Sequence, residues 1–307
     1  MGIYHSIVRR EKIEKGWSGD EKYRIEAEDG QQYLLRVSPP SQAERKKRQF
    51  LRMQAVSDLG IPMCLPMEFG TCQEGVYTIQ SWIQGADAED WIPSLGTAEQ
   101  YRYGLEAGRI LEKIHSLPAP PDTPDWESRF NAKIDRKIDM YTGCPLKFHR
   151  GENAFLGYIR DNRHLLCGRP QSYQHGDYHI GNMMIDLNGK LIVIDFDRDD
   201  YGDPWEEFNR IVWSAQEAPS FATGMVDGYF EGTVPPEFWK LLALYICSNT
   251  LSSLPWAIPF GDEEIQIMRT QAEQILQWYD DMNNTVPSWY HQTKAALRTP
   301  ADTRSML

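Results

Sequence analysis

Three side chains bearing hard oxygen atoms stand close together in residues 174–210, QHGDYHIGNMMIDLNGKLIVIDFDRDDYGDPWEEFNR: Asp177, Asn182 and Asp195. Asn182 offers an amide oxygen and Asp195 a carboxylate. Mg²⁺ suits such donors, because it takes one or two protein carboxylates and completes its octahedron with phosphate oxygens and water. Asp177 precedes Asn182 by five residues, in a stretch whose Gly176 and Gly181 call for a tight loop.

A hairpin is the element expected to bring these groups together. Apolar runs at 183–185 and 191–194 flank Asn188-Gly189, the pair that favours a two-residue turn with positive φ at both positions. With that turn, Leu187 faces Lys190, Ile185 faces Ile192 and Asn182 faces Asp195. Opposed side chains of an antiparallel pair share a face, with Cβ atoms about 4.5 to 5.5 Å apart. The amide and the carboxylate are therefore expected to meet at the open end of the hairpin, with Asp177 converging on the same place. Further on, Asp203-Pro204-Trp205-Glu206 reads as an N-cap, a proline at the first helical position and an acid in the first turn.

His175-Gly176-Asp177 followed by Asn182, then Ile194-Asp195-Phe196-Asp197 and Gly202-Asp203-Pro204, resembles the aminoglycoside phosphotransferase family, relatives of protein kinases and choline kinases. The resemblance implies an α+β, bilobal, protein-kinase-like fold. A small antiparallel nucleotide-binding lobe would occupy residues 1–84, and a larger helical lobe residues 85–307. It also implies that Asp177 orients an attacking hydroxyl and accepts its proton, while Asn182 and Asp195 hold Mg²⁺ on the phosphates of ATP or GTP. This sequence has Asp197 where protein kinases have the glycine of D-F-G. Six residues, 196–201, separate Asp195 from the Gly202-Asp203-Pro204 start, whereas protein kinases use a much longer activation segment to hold a peptide. A protein substrate is not expected.

Nucleotide contacts follow from the same resemblance. Residues 13–20 form a short loop containing Gly16, Ser18 and Gly19, whose backbone N–H groups would cover phosphates as a glycine-rich loop does. Residues 23–28 and 31–37 around Asp29-Gly30 read as a second hairpin. Its outgoing strand carries Arg36 at the place of the kinase lysine, and arginine offers phosphate a bidentate fork. The usual acidic partner lies on the next helix, expected over residues 42–59. There Glu44 and Gln49 are both candidates, Gln49 being the better match to the family and Glu44 belonging to the charge run ERKKR. Residues 71–85 read as two strands around Glu74-Gly75, leading to a hinge in which the main chain of Ser81, Trp82 and Ile83 would bind the nucleotide base.

The acceptor side is expected among helices. Thr97-Ala98-Glu99-Gln100 has the form of a capping box, and Ile265, Met268, Ala272, Ile275, Tyr279 and Met282 step by threes and fours as a core-facing stripe does. The aromatic and acidic loop at 255–264, with Trp205, Glu206 and Glu207, is a candidate acceptor pocket. Its proposed contacts are Asp197, Trp205, Glu206 and Trp256.

The 307 residues carry a net charge of −12, distributed unevenly. Up to Gln84 there are 12 Lys and Arg against 11 Asp and Glu, and the remainder holds 20 against 33. Excess acid disfavours nucleic acid and favours a cationic small acceptor. Five cysteines without a CxxC pair point to reduced thiols, no structural zinc and a cytoplasmic location. No apolar run is expected to span a membrane, and no signal-peptide core opens the chain. The resulting reading is Mg²⁺-dependent phosphoryl transfer to a small hydroxyl compound. Alternative acceptors are an amino alcohol, a macrolide or a sugar, and the alternative class is a nucleotide sensor or scaffold that no longer catalyses.

Overall fold

A computed structural model describes residues 2–14 and 19–298, so Ser18 and Gly16 of the expected phosphate loop lie outside the described residues. The chain parts into two compact units. The first holds residues up to Trp91 together with His175–Asp177 and Asn182–Asp199; the second holds Ile92–Gln174, Tyr178–Gly181 and the chain from Asp200 onward. An antiparallel sheet in the first and helices in the second make the α+β fold.

In the first unit a five-stranded antiparallel sheet is built from β1 (Ile7–Ile13), β2 (Glu21–Ala27), β3 (Gln32–Ser38), β4 (Pro66–Cys72) and β5 (Gly75–Ser81), in the order β1-β2-β3-β5-β4. The β2–β3 turn contains Gly30 at φ 78°, a left-handed conformation that glycine adopts at no steric cost. Strand alternation sorts the faces. Ile25, Leu35, Val37, Tyr77 and Ile79 form a buried cluster on one side, with Tyr23 and Tyr33 packed against it. The even-numbered side carries Lys22 and Arg36, which stand opposite each other. Helix α1 (Ala43–Ser57) buries Lys46, Gln49, Met53 and Val56, a stripe spaced by threes and fours.

Short strands complete this unit. β6 (Gly85–Asp87), followed by one helical turn α2 (Ala88–Trp91), pairs with β8 (Met183–Asp186), and β8 pairs with β9 (Leu191–Val193). Met63 bridges Val193 in parallel. The hairpin at 182–199 takes its backbone pairings from β6 and Met63 and falls in the first unit.

The second unit contains α3 (Thr97–His115), α4 (Trp126–Gly143), α5 (Glu152–Asn162), the strand pair β7 (Ser172–Gln174) and β10 (Asp200–Gly202), then α6 (Ile211–Glu217), α7 (Pro219–Tyr229), α8 (Pro236–Ala257), α9 (Asp262–Trp278) and α10 (Ser288–Arg298). The capping box does not form: Gly96 is the N-cap of α3 without a side-chain bond, and Thr97 is already helical. α3 and α7 touch backbone to backbone through two glycine pairs. A Cβ on Gly108 would lie 2.1 Å from the Met225 carbonyl oxygen, and one on Gly224 would lie 2.2 Å from that of Tyr101. On α9 and beyond, Met268, Ala272, Ile275, Tyr279 and Met282 are buried as the stripe requires.

One segment corrects the membrane expectation. Pro236–Phe260 is long and apolar enough to span a bilayer by length and composition, but 67% of that window is buried inside the protein. Its apolar surface is core, against α4, α5 and α9.

Candidate active site

The hairpin closes differently from the two-residue expectation. Gly189 N–H donates to the Asp186 carbonyl at 2.9 Å and Asp186 N–H to the Lys190 carbonyl at 2.9 Å. Gly189 alone adopts positive φ, 77°. This is a three-residue loop whose left-handed glycine makes a bulge. Its cause is Asp186, whose Oδ1 accepts the N–H groups of Asn188 and Lys190, each at 2.8 Å. The register moves by one residue, so Ile185 faces Leu191 and Met184 faces Ile192. Asn182 is opposed by Ile194, whose N–H donates to its carbonyl at 3.0 Å. The expected Asn182–Asp195 pairing is thus corrected.

Asp195 stands one residue past that pairing at φ 63°. A left-handed aspartate is uncommon, and such conformations collect at functional sites. It takes Asp195 out of the pleat, so strand alternation no longer dictates where its side chain points. The loop at 175–177 is braced nearby. The His175 ring is fully buried, 2.9 Å from the Ile194 carbonyl through Nε2 and 4.5 Å from the Phe196 ring, while its Nδ1 accepts the Asp177 N–H at 3.3 Å. Gly176 is at φ 85°, and a Cβ there would lie 1.9 Å from the Arg198 carbonyl oxygen. Asn182 Nδ2 donates to the Asp177 carbonyl at 2.8 Å. Arg198 NH1 stands 3.6 Å from the Asp177 carboxylate.

These contacts suit a divalent cation on phosphates. The amide nitrogen of Asn182 is held on Asp177, so its oxygen points elsewhere. Asp195 binds Arg36 through Oδ1, while Oδ2 has no partner among the described residues. No three His, Cys, Asp or Glu side chains among the described residues gather to hold a metal alone. Asn182 and Asp195 carry oxygen donors of the kind Mg²⁺ would accept if phosphates provided the rest.

Arg36 differs most from expectation. Neither Glu44 nor Gln49 is its partner. Nε meets Asp20 at 3.1 Å, NH1 meets Asp195 at 2.9 Å and NH2 meets Asp197 at 3.0 Å. Burial opposes the Arg36 charge, but Asp195, Asp197 and Asp20 outweigh it and hold the pKa above the ordinary arginine value. From α1 the contribution is Lys46, 2.6 Å from Asp20 and 2.7 Å from Asp197. Burial alone would raise the Asp197 carboxyl; Arg36 and Lys46 bring it below the ordinary carboxylate value. Gln49 donates to the Phe196 carbonyl at 2.8 Å and reaches Asp199 at 3.4 Å, and Arg52 forks onto Asp199. Glu44 is exposed.

Lys46 and Asp20 were not among the expected residues. The buried spacing of 46, 49, 53 and 56 along α1 was available to separate Lys46 from the exposed ERKKR run. Asp20 had no signal beyond its place after Gly19. Gly19 itself is exposed, with open space where a Cβ would stand.

At the hinge the expected residues divide. Ser81 is engaged within the sheet, its N–H on the Leu65 carbonyl at 2.9 Å and its Oγ accepting the Leu65 N–H at 2.8 Å. Trp82 and Ile83, with Gln84, border an open cavity of about 510 Å³ whose other walls are Gly30–Gln32, Asp186–Asn188 and Ile192. That volume lies in the range of a small-molecule site.

Within the second unit the expected acceptor residues do not form a single pocket. Asp197 is held by Lys46 and Arg36. Within the second unit, buried Glu206 accepts from Lys133 at 3.1 Å and from Gln174 at 3.3 Å. Trp205 lies under Arg169, 3.9 Å from the guanidinium, and edge-on to Phe238. Trp256, 39% exposed, packs on Phe260 with ring centres 4.8 Å apart. Phe238 and Trp256 both lie on α8, eighteen residues apart by their numbers. That is about 27 Å at helical rise, too far for Trp205 and Trp256 to wall one small molecule. Asp203 is not a plain helix cap either. It accepts from Arg169 at 2.7 and 3.0 Å, from Tyr245 at 2.5 Å and from the Trp205 N–H at 3.0 Å, and a 3₁₀ turn over Glu206–Arg210 follows.

A sheet whose buried Arg36 meets Asp195, beside a loop in which Asn182 holds the Asp177 carbonyl, is the arrangement expected of a kinase-type phosphotransferase. The sequence profile of the phosphotransferase enzyme family matches residues 9–239, and the chain belongs to that family. No curated protein matches. Solved structures share the fold at low identity. Aminoglycoside phosphotransferase APH(4)-Ia, as a thermostable mutant, is 18% identical with a TM-score of 0.65, over 89% of this chain and 95% of that one. A candidate fructosamine-3-kinase from Haemophilus somnus 129PT is 15% identical with a TM-score of 0.62, over 88% and 92%. The GDP complex of an aminoglycoside 2'-phosphotransferase-IIIa mutant is 14% identical with a TM-score of 0.64, over 91% and 94%.

Proposed function

We propose that this protein transfers the terminal phosphoryl group of ATP or GTP to a hydroxyl of a small molecule. The carrying observation is the bond from Asn182 Nδ2 to the Asp177 carbonyl, which locks the catalytic loop to the hairpin that bears Asp195. Asp177 would accept the hydroxyl proton of the acceptor. Asn182 and Asp195 would hold Mg²⁺, which neutralises phosphate charge when bound. The cavity beside Trp82 and Ile83 is assigned to the nucleotide base. Structures of relatives with ADP and hygromycin B, and with GDP, support both donors as choices to test.

The acceptor is proposed to be cationic because acid exceeds base over residues 85–307, although Asp197 and Glu206 are already engaged by protein cations. The test is a coupled nucleotide-consumption screen with aminoglycosides, macrolides, amino alcohols and sugars. Turnover with one class that vanishes in Asp177→Asn supports the reading, and no consumption with any class sinks it. Catalytic silence has one observation in its favour, the Arg36 guanidinium resting on a metal-ligand oxygen of Asp195. Nucleotide binding that ignores Mg²⁺ would favour that sensor role.

A further inference from the structure

Family resemblance puts the phosphate-binding cation at Arg36, but each nitrogen of that fork already faces a carboxylate: Asp20, Asp195 and Asp197 at 2.9 to 3.1 Å. Arg36 is 4% exposed. A phosphate could reach it only by displacing one of these partners, two of which belong to the segment that carries the metal ligand.

Lys22 has none of these engagements. It is the direct cross-strand neighbour of Arg36 on β2, so both side chains leave the same face of the sheet. The opposite face is filled by Ile25, Leu35, Val37, Tyr77 and Ile79. Lys22 is half-buried and feels Arg36, Asp195, Asp197 and Asp20 electrostatically. Among the described residues it makes no hydrogen bond or ion pair. A half-buried ammonium has lost part of its hydration, and an anion arriving on that face would offset that loss. Lys22 also follows Gly19 by three residues, at the start of the strand leaving the glycine-bearing loop.

We propose that Lys22, and not Arg36, takes the phosphate oxygens of the bound nucleotide, leaving Arg36 to position Asp195 and Asp197. The assignment rests on the kinase reading above and is separable from it. Binding of Mg²⁺ with ATP or GTP, and of adenosine or guanosine, is measured by calorimetry for wild type, Lys22→Gln and Lys22→Arg. Loss of one charge-assisted contact should weaken triphosphate binding about 10- to 100-fold in Lys22→Gln. Lys22→Arg should recover most of it, with nucleoside affinity and the melting temperature of the free protein unchanged. Wild-type triphosphate affinity in Lys22→Gln, or equal loss for nucleoside and triphosphate, would overturn the assignment while leaving the kinase reading intact. Wild-type protein that binds no nucleotide would overturn both.

Discussion

At the scale of single residues, Asp177 is prepared rather than merely present. Its N–H is held by His175, its carbonyl by Asn182, and its carboxylate lies beside Arg198. A positioned base contributes about 10² to 10⁴ in rate, so Asp177→Asn should lower turnover by that factor. The nucleotide-induced melting shift should stay at its wild-type size, and steady-state assay with thermal denaturation checks both. Arg36 belongs to structure instead. Among the described residues, removing it leaves Asp195 without its ion-pair partner and Asp20 and Asp197 with Lys46 alone. Breaking a buried ion network from one side costs about 3 to 5 kcal/mol. Arg36→Ala should lose stability in that range by urea denaturation, and an unchanged midpoint would show that the network relaxes freely.

At the scale of elements, two packings carry distinct predictions. The α3–α7 contact is close because glycines meet carbonyls, so Gly108→Ala must push the helices apart. Overpacking of this kind costs about 1 to 3 kcal/mol, readable as a lowered urea midpoint. On α4, Lys137 is held at about 7 by burial and by neighbouring Lys133, against an ordinary lysine value of 10.5. Between those values the unfolded chain holds a proton that the folded chain lacks. Stability from Lys137 therefore rises as pH climbs from about 7 toward 10.5 and is flat below 7. Lys137→Met should flatten that slope, measured as denaturation midpoints at several pH values in this window.

At the scale of the whole molecule, a ligand that binds only the folded chain stabilises it by about 2.7 kcal/mol at one hundred times its dissociation constant. Mg²⁺ with ATP or GTP should raise the melting temperature together, and the nucleotide without metal should do so less; equal shifts would point to the sensor. Much of this fold was legible from sequence because its signals are short-ranged. Period-two alternation marked Tyr77 and Ile79, period 3.6 marked Met268, Ala272 and Ile275, and the close set Asp177, Asn182 and Asp195 named the candidate site. Partners far along the chain were not legible. Asn188-Gly189 named a turn, yet the Asp186 carboxylate selected a longer one and shifted the register. Arg36 lies 159 residues from Asp195 and Lys46 lies 151 from Asp197. Local pattern records which face a side chain leaves and which turn the backbone tolerates. Which charge it meets there is decided only when distant segments pack, since an ion pair depends on separation in space and on lost water, not on spacing in the chain.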